Sequence, residues 1–226
     1  MPNDPTEYFI DLECSLDEAA EAELKMLLTA GSTAPSDLSN VEFQQTIERK
    51  IREACLKAEW SRVLVIGLIS VWPGQEAKRC LIGCDPATGK FYEEVRALQR
   101  FWEHLKYFDP RRDRIIGHNI YDFDLPFLYK RSIIQQVRPT VDLSFARYRA
   151  QPIYDTMKEW EKWGRGAVSL DNLAKSLHLE SPKKGGIDGS QVYDFYRAGR
   201  HREIAEYCGR DVISVREIYK RLTFTE

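Results

Sequence analysis

A chain of 226 residues that is 43% hydrophobic, 12% aromatic and 30% charged has apolar content for one sizeable core, so a single domain is the expectation. No apolar run reaches the roughly 18 to 20 residues of a membrane span, and 13 Gly with 10 Pro are too few for a collagen-like or low-complexity chain. The net charge of −2 argues against a general nucleic-acid coat protein, although residues 1–60 carry 5 basic and 13 acidic side chains and leave 28 and 22 for the remainder.

The start, MPNDPTEYFI, has no positively charged leader pattern, and a cytoplasmic protein is expected. Tyr8-Phe9-Ile10 reads as a first strand that ends in Asp11-Leu12-Glu13. About 49 residues follow before the next strand and hold most of the acidic excess. Leu16–Leu28 is rich in Ala, Glu and Leu, Gly31–Ser36 is a break, and Ser39-Asn40-Val41-Glu42 has capping-box spacing ahead of an apolar stripe at Phe43, Ile47, Ile51 and Cys55. Residues 14–60 are therefore expected to form an acidic, amphipathic helical insertion packed on the sheet, with a protein-partner surface as the alternative use.

Val63–Val71 is apolar enough for a central strand covered on both faces. Arg79–Gly83 is a third strand, and the three are expected to form an antiparallel meander. A helix marked by Leu98, Phe101, Trp102, Leu105 and Phe108 stops before Pro110; Arg114–Asn119 is a fourth strand, Asp124–Gln135 a helix, and Pro152–Thr156 a fifth strand. Leu170–His178 and Arg200–Leu222 are helical, with a Gly-rich break at Lys183–Gly186. The sum is an α/β architecture with a mixed central sheet, antiparallel over the first three strands and then parallel, flanked by helices.

No P-loop pattern, no GxGxxG and no internal repeat is present. Five scattered cysteines, Cys14, Cys55, Cys80, Cys84 and Cys208, read as reduced thiols, and the Cys80/Cys84 spacing lacks the second Cys/His pair of a structural zinc site.

Chemistry is suggested by acids at special positions. Asp11 and Glu13 are two apart on a strand and so share a face. Asp124 falls where a strand runs through Gly117-His118-Asn119 into a helix; an N-cap is the plainer reading of that residue, and Asp122 is its rival. Tyr207 and Asp211 are four apart on the last helix, beside the apolar stripe Ile204, Cys208, Val212, Val215 and Ile218. A carboxylate against a core stripe needs a basic partner or a cation.

In that order, IDLE, GHNIYDFDLPFL, GGIDGSQVYDFYRAG and EIAEYCGRD make the chain resemble the DEDD (DnaQ-like) 3′-to-5′ exonucleases of the tyrosine-bearing subclass, above all the proofreading exonuclease domain of family B DNA polymerases and its stand-alone relatives. The resemblance covers most of the chain; the acidic insertion and the absence of a polymerase domain depart from it. It implies an RNase H-like fold in which Asp11, Glu13, Asp124 and Asp211 hold two divalent ions, Mg²⁺ or Mn²⁺, and Tyr207 orients the attacking water, its ordinary pKa being too high for a base at neutral pH. The implied substrate is a single-stranded 3′ end, DNA favoured, releasing nucleoside 5′-monophosphates. An exoribonuclease and a non-catalytic nucleic-acid-binding module are the alternatives. Asn119 is expected to touch substrate or fix the loop, Leu12 and Phe123 or Tyr121 to wedge or stack on bases or else simply to pack, and Lys183, Lys184, Arg197 and Arg200 to meet the phosphate backbone, while His118 is expected to be structural.

Overall fold

The computed structural model describes residues 4–30 and 40–225. Five strands, β1 (Glu7–Ser15), β2 (Arg62–Val71), β3 (Lys78–Ile82), β4 (Arg114–Gly117) and β5 (Ile153–Asp155), form one sheet in the order β3-β2-β1-β4-β5. The first three pair antiparallel, and β4 and β5 join parallel. This is the expected mixed sheet, consistent with an RNase H-like exonuclease fold.

The alternation of side chains along β1 decides what each face of the sheet does. Tyr8, Ile10, Leu12 and Cys14 enter the main core with Leu98, Phe101 and Trp102 of α3 (Glu94–His104) and Leu125 and Leu128 of α4 (Asp124–Ile134). Phe9 turns the other way, toward Val212, Val215 and Tyr219 of the 23-residue α8 (His201–Thr223). Asp11 and Glu13 share that side. The strand is longer than the sequence suggests and carries both acids inside its span, because β2 pairs with it along its whole length, Asp11 opposite Gly67 and Glu13 opposite Val65, with a bulge between Glu13 and Cys14. β4 is shorter than expected and ends at Gly117.

Gly67 is what lets α8 approach. A β-carbon there would lie 3.0 Å from the Cys208 carbonyl oxygen and 3.1 Å from Val212 Cγ1, and the Gly67 amide donates to Cys208 Sγ at 3.1 Å. Any side chain at 67 would lift the helix off the sheet directly opposite Asp11.

The insertion spans residues 16–61, between the ends of β1 and β2, and contains α1 (Glu18–Ala30) and α2 (Asn40–Ala54). The expected capping residue Ser39 and the expected break at 31–36 lie outside the described residues. The stripe holds: Ile47, Ile51 and Cys55 are buried with Leu16 and Leu24 in a small separate core, against which Phe43 and Tyr193 pack. The insertion has its own core, packs on α7 (Val192–Arg197), and touches the sheet where Cys14 of β1 donates to the Cys55 carbonyl. Two short helices, α5 (Thr156–Trp160) and α6 (Leu170–Ser176), and 3₁₀ turns at Pro182–Gly185 and Gly189–Gln191 complete the chain. No described helix is long and apolar enough to cross a membrane.

Candidate active site

Three elements bring the acids together. β1 supplies Asp11 and Glu13, α8 supplies Asp211 with Tyr207 one turn before it, and α4 supplies Asp124 as its first residue. Carboxylate oxygens of Asp11 and Glu13 lie within 4.8 Å of each other and of Cys208 Sγ. Glu13, Asp124, Asp211 and Tyr207 are buried; Asp11 is half-buried.

Gathering acids out of water raises their pKa values, and here each cause is identifiable. Burial, then the charges of Asp211, Glu13 and Asp124, push Asp11 well above the carboxylate range. Burial, then Asp211 and Asp124, do the same to Glu13. Burial carries Asp124 up to about 7, with Asp155 adding to the rise and the backbone amides of Asp124 itself and Leu12 opposing it. Burial lifts Asp211 to about 7 against a hydrogen bond from Tyr207 and the charges of Arg210 and Lys183. Tyr207, raised by burial and then by Glu13, keeps its proton and acts as a donor.

Two of these oxygens decide what the cluster suits. Asp11 Oδ2 and Asp211 Oδ1 are shut off from solvent and have no hydrogen-bond partner. A buried carboxylate oxygen without a donor is costly, and acids massed around such atoms fit a hard divalent cation, which takes oxygen ligands. The donor set therefore fits Mg²⁺ or Mn²⁺.

Residues 54–226 match the family described as a predicted 3′-5′ exonuclease related to the exonuclease domain of PolB. The chain belongs to this family. Comparison with curated proteins finds no match. The match begins at the end of α2, so Asp124, Tyr207 and Asp211 lie within it, whereas β1 and most of the insertion precede it.

Within this exonuclease fold, the remaining expected contacts sort themselves by packing. Leu12 is a correction: at 4% exposure it belongs to the core under α3 and α4, on the face away from Asp11, and has no surface with which to wedge a base. Tyr121 is likewise buried, its hydroxyl directed to the carbonyls of Ala146, Arg149 and Ile153. Phe123 is half-buried at the N-terminus of α4, 5.6 Å from the Phe127 ring. Asp122 points outward into ion pairs with Lys158 at 2.7 Å and Arg147 at 3.5 Å, away from the carboxylate cluster. Asp124 is no N-cap: Phe123 holds that position. Among the basic residues, Lys183 is exposed, lies 3.9 Å from Asp188, and its charge reaches Asp211. Lys184 is paired with Glu180, Arg197 with Glu21, and Arg200 with Glu203 while lying 3.7 Å over the Phe195 ring. Cys80 and Cys84 form no metal pair: the first lies 4.0 Å from His104 and the second donates to the Gly89 carbonyl.

Sequence reasoning missed Asp155. Fully buried at the end of β5, it accepts from the amides of Asn119 (3.0 Å), Tyr121 (3.2 Å), Met157 (3.0 Å) and Lys158 (3.2 Å). Asn119 is held at φ 60°, a left-handed conformation that Asn tolerates better than most residues. His118, as expected, is structural, bridging Thr156 Oγ1 and the Val168 carbonyl at 2.9 Å each. This knot aims the strand-to-helix junction that delivers Asp124. The sequence signal was available: an acid followed by Thr at a strand end just before a helix is a cap pattern. Asp155→Asn places an NH₂ group against backbone N–H donors and is expected to cost about 10- to 100-fold in metal affinity or activity, the range for groups that orient metal ligands. Mn²⁺ titration of the purified variant checks it, and affinity equal to wild type would remove Asp155 from the site.

Stability should report the same charges. A carboxyl whose folded pKa is raised makes its full contribution below its unfolded pKa, near 4, and loses it as pH rises through the folded value. With Asp124 and Asp211 at about 7, protein in EDTA is expected to lose melting temperature steadily from about pH 5 to pH 8. Saturating Mg²⁺ or Mn²⁺ should flatten that slope and raise Tm most at the alkaline end. Thermal melts across this range, with and without metal, test it.

Proposed function

We propose that the chain is a metal-dependent 3′-to-5′ exonuclease that hydrolyses single-stranded nucleic acid, DNA in preference, and releases nucleoside 5′-monophosphates. The observation that carries this reading is the pair of buried, partnerless oxygens on Asp11 and Asp211, set among four acids that repel one another unless a cation joins them. Two divalent ions bound there would supply an activated nucleophile and charge stabilisation for the leaving 3′ oxygen.

The chain's own residues do the rest. Asp11, Glu13, Asp124 and Asp211 would hold the ions. Tyr207, protonated and donating to Asp211, offers its oxygen lone pairs to hold the attacking water. Lys183 brings positive charge beside Asp211 for the non-bridging phosphate oxygens, and Asn119 and Phe123 stand at the α4 entrance where the terminal nucleotide would lie. Tyr207→Phe is expected to slow cleavage by roughly 10-fold, less than loss of an acid, because it removes orientation and leaves the charge in place.

The test is incubation of purified protein with matched 5′-labelled single-stranded DNA and RNA in Mg²⁺, Mn²⁺ or EDTA, with Asp11→Asn as control. A ladder shortening from the 3′ end, present only with metal and lost in the variant, supports the reading, and the faster strand identifies the sugar. Binding without cleavage of either strand would overturn it in favour of a non-catalytic nucleic-acid-binding module.

A further inference from the structure

Several directed bonds from the insertion converge on one short segment on the catalytic side of the chain. Arg52 of α2 donates to Asp194 from its two terminal guanidinium nitrogens, at 3.0 and 2.9 Å, donates to the Ser190 carbonyl at 3.5 Å and lies over the Tyr193 ring. Glu21 of α1, buried at 3% exposure, pairs with Arg197 at 3.0 Å. The Tyr193 ring enters the insertion's small core. At the far end of the gripped segment, Gly189 faces the catalytic helix: a β-carbon there would stand 3.8 Å from the Tyr207 hydroxyl. A cleft of about 500 Å³ lies between α2 and this segment, with Cys14, the neighbour of Glu13, in its wall.

We infer that the insertion is a positioning device for Tyr207: Arg52 and Glu21 hold residues 189–197 against the end of β1, and so fix the bare backbone at Gly189 beside the tyrosine hydroxyl. The catalytic consequence rests on the exonuclease reading; the clasp itself does not. An exposed ion pair alone is weak. This one is bidentate, and it is joined on the same six-residue helix by the pairing of Arg197 with the buried Glu21 of α1 and by the half-buried Tyr193 ring, so the ties act together. The consequence at the site is steric. Tyr207 can donate to Asp211 and still hold a water only if the neighbouring turn neither collapses onto its hydroxyl nor swings away and admits bulk solvent. The insertion, which departs from the family pattern, then serves the reaction without contributing a ligand to it.

The experiment compares wild type, Arg52→Ala and Asp194→Ala, each also in a Tyr207→Phe background. Amide hydrogen exchange over residues 189–197 is read alongside kcat and KM on a short single-stranded oligonucleotide. Expected are faster exchange confined to that segment, an unchanged melting temperature, and a kcat about 10-fold lower at constant KM, the lower end of the loss when a catalytic group's support is removed. In the Tyr207→Phe background the same substitutions should cost nothing further, since they act through the missing hydroxyl. Unchanged exchange in both variants would overturn the clasp, and an equal kcat loss in the Tyr207→Phe background would overturn its action on Tyr207. Should wild type cleave neither DNA nor RNA, the exonuclease reading falls and the positioning of a catalytic Tyr207 falls with it, while exchange still reports whether the insertion holds the segment.

Discussion

Asp11→Asn or Asp211→Asn is expected to lower metal-dependent cleavage by more than about 100-fold, since groups that merely orient a metal ligand already cost about 10- to 100-fold. Asparagine keeps the volume but replaces a charged oxygen with an NH₂ group, and Asp11 Oδ2 and Asp211 Oδ1 are buried oxygens of the acidic cluster that no protein donor satisfies. The same substitutions should raise the melting temperature in EDTA at pH 8, because each removes one member of a cluster whose charges oppose one another. Loss of activity with a gain in metal-free stability is a signature that a merely damaged fold cannot give. Asp124→Asn should behave likewise. Asp122→Asn should not, since that residue is spent on Lys158 and Arg147 at the surface. Nuclease assays paired with melts in EDTA decide all four, and an inactive Asp122→Asn beside an active Asp124→Asn would reverse the assignment of the second acidic motif.

The largest stability effect is expected at Arg131→Ala, about 3 to 5 kcal/mol, the usual cost of breaking a buried ion pair by removing one partner. Arg131 reaches from α4 to Glu94 at the start of α3, with contacts at 2.8 and 2.5 Å, and donates to the Ala58 carbonyl at the exit from the insertion. Glu94 in turn accepts from the Val63 amide at 2.7 Å and from Gln135 at 2.8 Å, so one carboxylate joins β2, α3 and α4. Truncating the arginine strands that charge in the core. The double variant Glu94→Leu/Arg131→Met should recover part of the loss, leaving the Val63 amide as the residual deficit. Urea unfolding of the single and double variants measures this, and a single variant within about 1 kcal/mol of wild type would show the pair to be incidental.

Gly67 illustrates why some of the site was beyond reach of sequence patterns. In VLVIGLISV it reads as a weak point in a strand. Only the crossing of α8 over β2 makes it the place where Cys208 touches the sheet opposite Asp11. Asp155 is similar, an ordinary cap from sequence that folding turns into the anchor of the junction before Asp124.

What the sequence determined by itself is whatever obeys a local period. Two residues along a strand share a face and four along a helix are neighbours, so D-x-E in β1 and Y-x3-D in α8 could be read as functional pairs, and the alternation of strands and helices gave the mixed sheet. The tertiary structure alone decided which groups remained free for chemistry. Leu12, between the two acids, goes inward because the period that unites Asp11 and Glu13 sends it to the opposite face. Lys184 and Arg200 pair with Glu180 and Glu203, and Arg52 and Glu21 tie the insertion to Asp194 and Arg197 of α7. Ion-pair choice and burial depend on which distant segments the fold brings within a few ångströms, and periodicity carries no record of that.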